Sequence, residues 1–193
     1  DITIVEMLPR LLPNEDPEVS DVLTKAYKKL GVKVLTETAV QKIEATDDGV
    51  NVSLPDGEVL TADKVMLAIN FMPNIENIGL EAVGIATDRD KIMVNDYYQT
   101  NIPGYYAIGD VTPGPALAHV ASAEGILCVE KIAGMHVEPL DYGNIPGCTY
   151  CSPEVASVGL TEKQAIEQGY DVKVGKFPFS ASGKAQASGH SDG

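Results

Sequence analysis

The chain has 193 residues, 44% of them apolar, and a formal charge of -14: ample apolar content for a core, and the wrong sign for nucleic acid or an anionic membrane surface. No apolar run in it approaches the roughly 20 residues that span a bilayer, and no basic-then-apolar signal pattern opens it, so it reads as soluble. Three cysteines, Cys128, Cys148 and Cys151, are too few for a disulfide scaffold and point to a reducing, cytoplasmic compartment.

The first residues already form a strand and residues 188–193 stop in a polar turn, so a fragment of a longer protein is expected. Residues 2–6 are an apolar run ending in Glu6, followed by a Pro-bounded loop. In a dinucleotide-binding fold the second strand ends in an acid that accepts hydrogen bonds from ribose hydroxyls. Glu6 has that position, but the glycine-rich turn due about 20 residues earlier is not in the chain. On spacing alone an ordinary surface acid fits Glu6 equally well.

Val19, Val22, Leu23, Ala26, Tyr27 and Leu30 share one face of a helix predicted over residues 17–30, which Gly31 stops. That is core packing. A strand over 32–35 follows, then a polar, turn-prone stretch holding Thr36, Thr38 and Val40. Strands over 50–54 and 58–69 flank Pro55, Asp56 and Gly57, a hairpin signal, and the second ends in A-I-N-F-M-P-N. Residues 78–84 form a short helix or turn that hands the chain to a second unit.

The rest is organised around residues 100–125. A buried strand is expected over 105–110, ending in Gly109 and Asp110: a backbone without a Cβ, then one carboxylate. After Pro113, Gly114 and Pro115 comes a helix from about 116 to about 133, with Leu117, Val120, Ala121 and Leu127 as its buried stripe and Gly134 past its end. Strand end and helix N-terminus converge, as where α/β sheets hold nucleotides. Asp110 can accept from hydroxyls, and the N–H groups near Leu117, Ala118 and His119 can face an electron-rich acceptor. The competing reading makes Asp110 a turn or cap residue. His119 is not assigned a catalytic role, because a lone helical histidine more often packs or caps.

Residues 142–146 are a turn-rich linker to a third unit. Cys148 and Cys151 invite a redox or metal role, but strand alternation would put them on opposite faces about 10 Å apart, beyond the roughly 7 Å that a disulfide spans. No second cysteine pair or nearby histidine pair completes a zinc site, so no metal is expected. Thr161 and Gln164 make a capping box for a short helix ended by Gly169, and residues 172–179 read as a strand.

The run T-N-I-P-G-Y-Y-A-I-G-D-V, followed by A-L-A-H-V-A-x-x-E-G, resembles the second FAD motif of the flavoprotein disulfide reductases. I-V-E-M-L-P-R-L-L-P near the start, with C-T-Y-C-S-P-E and F-P-F-S-A-S-G-K-A near the end, extends the likeness over the whole chain. The resemblance implies an α/β fold: Rossmann-like FAD/NAD(P)-binding segments, then the start of an α+β dimerisation domain. It divides the chain into the latter part of an NAD-binding domain (1–79), a segment returning to the FAD-binding domain (80–144), and the start of the interface domain (145–193).

Among these enzymes the chain is most similar to the branch that oxidises dihydrolipoamide. That implies a relay from a Cys-x4-Cys disulfide through FAD to NAD, in a homodimer that serves the lipoyl-bearing acyltransferase of a 2-oxoacid dehydrogenase complex. By the same resemblance Asp110 and Ala118, with the backbone of Leu117 and His119, would serve FAD. Glu6, Val40 against the adenine, and the turn of Asn70, Phe71, Met72 and Pro73 would serve NAD. Asn70 departs from the glycine usual there. The disulfide and the C-terminal His-Glu base pair are not in this chain, so no catalytic residue is assigned and the chain alone is expected to be inactive. A mercuric or glutathione reductase type, or a non-catalytic acidic binding module of the same fold, are the rival readings.

Overall fold

The structure is a computed structural model that describes residues 1–69 and 71–193. It forms two compact units, residues 1–67 with 146–193, and residues 68–145.

In the first unit strand β1 (Thr3–Val5) pairs in parallel with β2 (Lys33–Leu35), Thr3 opposite Lys33 and Val5 opposite Leu35, and helix α1 (Pro17–Lys29) connects them. Ser20 and Leu23 form the buried stripe of α1, while Val22 and Leu30 of the expected apolar face are exposed. A two-stranded sheet covers only a narrow strip of helix, and Leu30 is already the C-cap. The stop at Gly31 is as expected: its N–H bonds the Lys28 carbonyl and Val32 N–H the Tyr27 carbonyl, both at 3.0 Å, with Gly31 at φ 85°.

Strands β3 (Lys42–Thr46), β4 (Gly49–Ser53) and β5 (Val59–Ala62) make an antiparallel sheet in that order, with Val52 buried on its central strand. β3 was not anticipated, because K-I-E-A-T is an exposed edge whose polar residues read as loop. The hairpin after β4 is closed by Gly57 N–H to the Leu54 carbonyl at 3.1 Å, and Glu58 N–H to Asp56 Oδ1 at 2.9 Å. β5 stops at Ala62 rather than continuing to 69, since residues 63–69 find no strand to pair with; Met66 and Ile69 stand 88% and 87% exposed. Gly49 is required where β3 turns into β4: a Cβ there would lie 2.5 Å from the Ala62 carbonyl oxygen.

The second unit holds α2 (Leu80–Val83), the short ribbon β6 (Thr87–Asp88) and β7 (Lys91–Ile92), a 3-10 turn (Gly109–Val111) and the long helix α3 (Ala118–Ile132). Residues 105–110 are not the buried strand expected from their apolar run. They make one antiparallel bridge, Tyr106 with Gln99, and Tyr105, Tyr106 and Ile108 are exposed. A lone bridge supplies no ladder to bury them. On α3 the buried stripe is Val120, Glu124 and Cys128; of the expected stripe only Val120 is fully buried, with Leu117, Ala121 and Leu127 half-buried.

Glu124, 2% exposed, is the centre of this unit. Its Oε2 accepts the Gly109 N–H at 2.6 Å and its Oε1 the Tyr142 hydroxyl at 2.6 Å. Tyr142 Oη lies 3.1 Å from that of Tyr98. A carboxylate only accepts, so the Tyr142 proton goes to Glu124 and Tyr98 is the donor to Tyr142. Burial, and then the hydrogen bond to Glu124, push the Tyr142 phenol far above the usual tyrosine range. Burial raises Tyr98 as well, partly offset by its bond to Tyr142.

The chain then returns to the first unit with β8 (Gly147–Thr149) antiparallel to β9 (Val155–Ser157), α4 (Glu162–Glu167) and α5 (Gly183–Ser188). The capping box of α4 forms with both its bonds, and Gly169 follows its C-cap at φ 85°. The strand expected over 172–179 is absent: nothing pairs with it, and Val174 and Phe177 are exposed. α5, unanticipated, is capped by Ser182. Strand alternation does not govern the two neighbouring cysteines either. β8 stops at Thr149, and Cys151 sits in a turn with its Sγ 3.0 Å from the Pro153 carbonyl oxygen.

Two outcomes are expected from these packings. Gly49→Ala should lower the stability of the chain by about 1–3 kcal/mol, more than Gly57→Ala in its open turn, as read by urea denaturation. Because the folded state raises the Tyr142 phenol above its unfolded value, the stabilisation is complete below about pH 10 and is lost as pH rises beyond it. Tyr142→Phe should therefore flatten the alkaline fall in urea midpoint, while costing about 1–3 kcal/mol at neutral pH through the unmade bond to Glu124.

Candidate functional site

Gly109 and Asp110 form the most constrained turn of the second unit. The Gly109 N–H is held by Glu124 at 2.6 Å, and its carbonyl accepts both the N–H and the Oγ1 of Thr112, at 2.9 and 2.8 Å. Gly109 has φ 71°, and a Cβ there would stand 3.2 Å from that of Ala121. Its N–H and its carbonyl are thus both engaged, and a side chain at this positive φ would crowd Ala121. Asp110 follows directly. Its carbonyl takes a bond from Lys91 Nζ at 2.6 Å, while its carboxylate is exposed and has no hydrogen-bond partner among the described residues.

The turn packs against α3. Leu117 is the extended N-cap residue, with its N–H on the Pro115 carbonyl at 2.9 Å and its own carbonyl accepting the N–H groups of Val120 and Ala121. Ala118, the first helical residue, has no acceptor for its N–H among the described residues, as expected of a helix start. His119 is exposed one residue further on. The structure packs the turn that carries Asp110 against α3, the helix that starts at Leu117, Ala118 and His119, with its close approaches to Ala121 and Glu124. A chain of hydroxyls needs an acceptor not already engaged, and an electron-rich ring needs a donor. The Asp110 carboxylate and the Ala118 N–H fit a flavin cofactor in both respects.

The first unit carries the other predicted group. Glu6 follows β1, with its N–H on the Leu35 carbonyl at 2.8 Å and its carbonyl accepting the Thr38 N–H at 3.0 Å, so its loop and that of Thr38 lie together. Its Oε1 accepts the Leu8 N–H at 2.7 Å, which fixes the carboxylate against its own loop and leaves the other oxygen to accept from a ligand. Val40, two residues past Thr38, is 42% exposed. Phe71 and Met72 are exposed and Pro73 half-buried, all in the second unit. Asn70 lies outside the described residues.

Glu124, Tyr142 and Tyr98 were missed by sequence reasoning. The available signal was an acid four residues after Val120, on the buried side of a helix and within the A-x-x-E-G run. Among the described residues no group of three or more His, Cys, Asp or Glu could hold a metal ion, and no helix is long and apolar enough to cross a membrane.

The chain is similar to named relatives and to solved structures. The dihydrolipoyl dehydrogenases of Rhizobium etli and Mycobacterium leprae are 48% and 50% identical to the chain over 198 residues, covering 100% of it. The chain spans only 41% and 42% of their length, about two fifths of the curated relatives it matches. The crystal structure of LpdA from Mycobacterium tuberculosis superposes with a TM-score of 0.91 at 26% identity, over 99% of this chain and 42% of that one. The HOCl-induced flavoprotein disulfide reductase RclA of Escherichia coli does so with a TM-score of 0.92 at 25% identity, over 100% of this chain and 45% of that one. Residues 145–193 match the dimerisation domain of the pyridine nucleotide-disulphide oxidoreductases. Residues 1–125 match the family's pyridine nucleotide-disulphide oxidoreductase model, and the chain belongs to that family.

Proposed function

We propose that the chain is part of a flavoenzyme that oxidises dihydrolipoamide to lipoamide and passes the electrons through FAD to NAD. The observation that carries this is the pinned Gly109–Asp110 turn, which offers an unengaged carboxylate beside the start of α3. The choice of dihydrolipoamide over the substrates of mercuric or glutathione reductases rests on the names of the relatives at 48–50% identity.

FAD, when bound, would supply the two-electron redox chemistry. The chain's own residues bind and orient. Asp110 accepts hydrogen bonds from the ribityl hydroxyls, and the first N–H groups of α3, at Ala118 and His119, face the electron-rich edge of the flavin with the positive end of the helix dipole behind them. Glu6 accepts from the adenosine ribose hydroxyls of NAD, and Val40 packs on the adenine. Residues 145–193 begin the surface on which two copies pair. The homodimer serves the lipoyl-bearing acyltransferase of a 2-oxoacid dehydrogenase complex. Three free cysteines support a cytoplasmic location.

Two substitutions in the full-length protein test the binding roles. Asp110→Ala should weaken FAD retention by about ten- to a hundredfold, the loss of one charge-assisted hydrogen bond, read as flavin content after dialysis. Unchanged retention would remove Asp110 from the flavin site. Glu6→Gln should lower kcat/KM for NAD by about 1–3 kcal/mol in transition-state terms and relax the bias against NADP, whose 2′-phosphate would otherwise face the acid. An unaltered ratio of the two specificity constants would leave Glu6 as a loop residue only.

A further inference from the structure

We infer that Glu124 is a positioning residue for the flavin turn, holding Gly109 so that the Asp110 carboxylate projects in one direction, with Tyr142 fastening Glu124 from behind. This rests on the reading of Asp110 as the flavin ligand.

Glu124 is buried on the inner face of α3, and no cation pairs with it among the described residues. An apolar side chain of similar volume would fill the space without the desolvation of a carboxylate. What such a side chain lacks is two acceptors at a fixed separation. One of them takes the N–H of Gly109, the residue immediately before Asp110, and the other takes the Tyr142 hydroxyl.

Tyr142 also bears on the loop after the Asp110 turn. Its ring packs on Gly114, where a Cβ would come within 3.2 Å of Cε1, inside the Pro113–Gly114–Pro115 loop that leads from the Asp110 turn to the first N–H groups of α3. Glu124 thus sets one end of the flavin cradle directly, and Tyr142 bears on the segment that sets the other. Gly125, next on the helix, lets α3 approach closely: a Cβ there would stand 3.1 Å from Ile108 Cδ1. Glu124 acts through the backbone N–H of Gly109, one residue before Asp110.

A positioning role differs from plain packing in what each substitution does. Glu124→Met keeps the length and removes both acceptors, whereas Glu124→Gln keeps an amide oxygen for Gly109 and can donate its NH2 to the Tyr142 oxygen, so acceptance rather than charge is the property tested. In the full-length holoprotein, well below its melting temperature, FAD release is followed by the rise of free-flavin fluorescence. Glu124→Met should speed release by about tenfold and Glu124→Gln should stay close to the parent. In an Asp110→Ala background Glu124→Met should add nothing, because its effect passes through Asp110.

Release at the parental rate in Glu124→Met, or an equal acceleration with and without Asp110, would overturn the inference and leave Glu124 a core residue. Should Glu124→Met fail to fold, Tyr142→Phe carries the same test: a smaller acceleration that vanishes in the Asp110→Ala background supports the inference, and one that persists there overturns it. If Asp110→Ala itself releases flavin at the parental rate, the flavin reading of the turn falls, and the inference with it.

Discussion

A single buried carboxylate holds the second unit in register. Glu124 has no countercharge among the described residues, so its burial is tolerable only because both oxygens are satisfied, one by a backbone N–H and one by a phenol whose own oxygen is satisfied by Tyr98. A chain of this kind is stable as a whole and costly in part, since removal of one member strands a buried polar group on another. Its members come from the segment before the Asp110 turn, the turn itself, the long helix and the linker after it. Those segments otherwise share few hydrogen-bonded strands. The unit relies on side-chain hydrogen bonds for the cohesion that a sheet would ordinarily supply.

That reliance explains which features were legible in the sequence. Devices closed within a few residues were read correctly: the capping box of Thr161 and Gln164, the Gly31 stop, the Pro55–Asp56–Gly57 hairpin, and a long helix after Pro115. Each depends on local φ/ψ and on a partner three to six residues away. The strand expected over 58–69 formed only over Val59–Ala62, and those expected from apolar runs over 105–110 and 172–179 did not form. A strand needs a neighbour contributed by distant sequence, and an apolar run does not say whether that neighbour is there. The unanticipated β3 is the converse case: its polar sequence hides a strand that the hairpin next to it recruits. In the second unit the Gly109–Asp110 turn and the start of α3 were legible because they carry their own punctuation, although the strand expected before them did not form. Glu124 and Tyr142 were not, because their pairing spans 18 residues and leaves no local pattern.

The first unit shows a second use of acids at a helix start. Asp16 is the N-cap residue of α1, yet its side chain caps nothing in its own helix and instead accepts the Glu162 N–H at 3.0 Å, the first of α4. Glu15 accepts the Ser157 hydroxyl at 3.0 Å, and Glu18 pairs with Lys176 at 2.6 Å. The acidic entry to α1 is therefore spent on the returning segment 146–193. The exposed ion pair contributes little by itself. The bond to the α4 N–H matters more, because it satisfies a donor that the capping box, which serves Gln164 and Thr161, leaves over.

The two acids singled out for cofactors are prepared to different degrees, and the difference has a physical origin. Glu6 already spends one carboxylate oxygen on the Leu8 N–H, so a ligand meets an acceptor held in place by its own loop and shared with it. Asp110 spends neither oxygen on a described residue, and its restraint comes instead from the residue before it, whose N–H is held by Glu124 and whose carbonyl by Thr112. The first arrangement gives rigidity at the expense of acceptor capacity. The second keeps the full carboxylate for the ligand by moving the restraint one residue upstream, which is possible only because that residue is a glycine at φ 71° packed against Ala121. A carboxylate proposed to hold a cofactor would gain most from the second arrangement, since the protein's own hydrogen bonds restrain the turn that carries it.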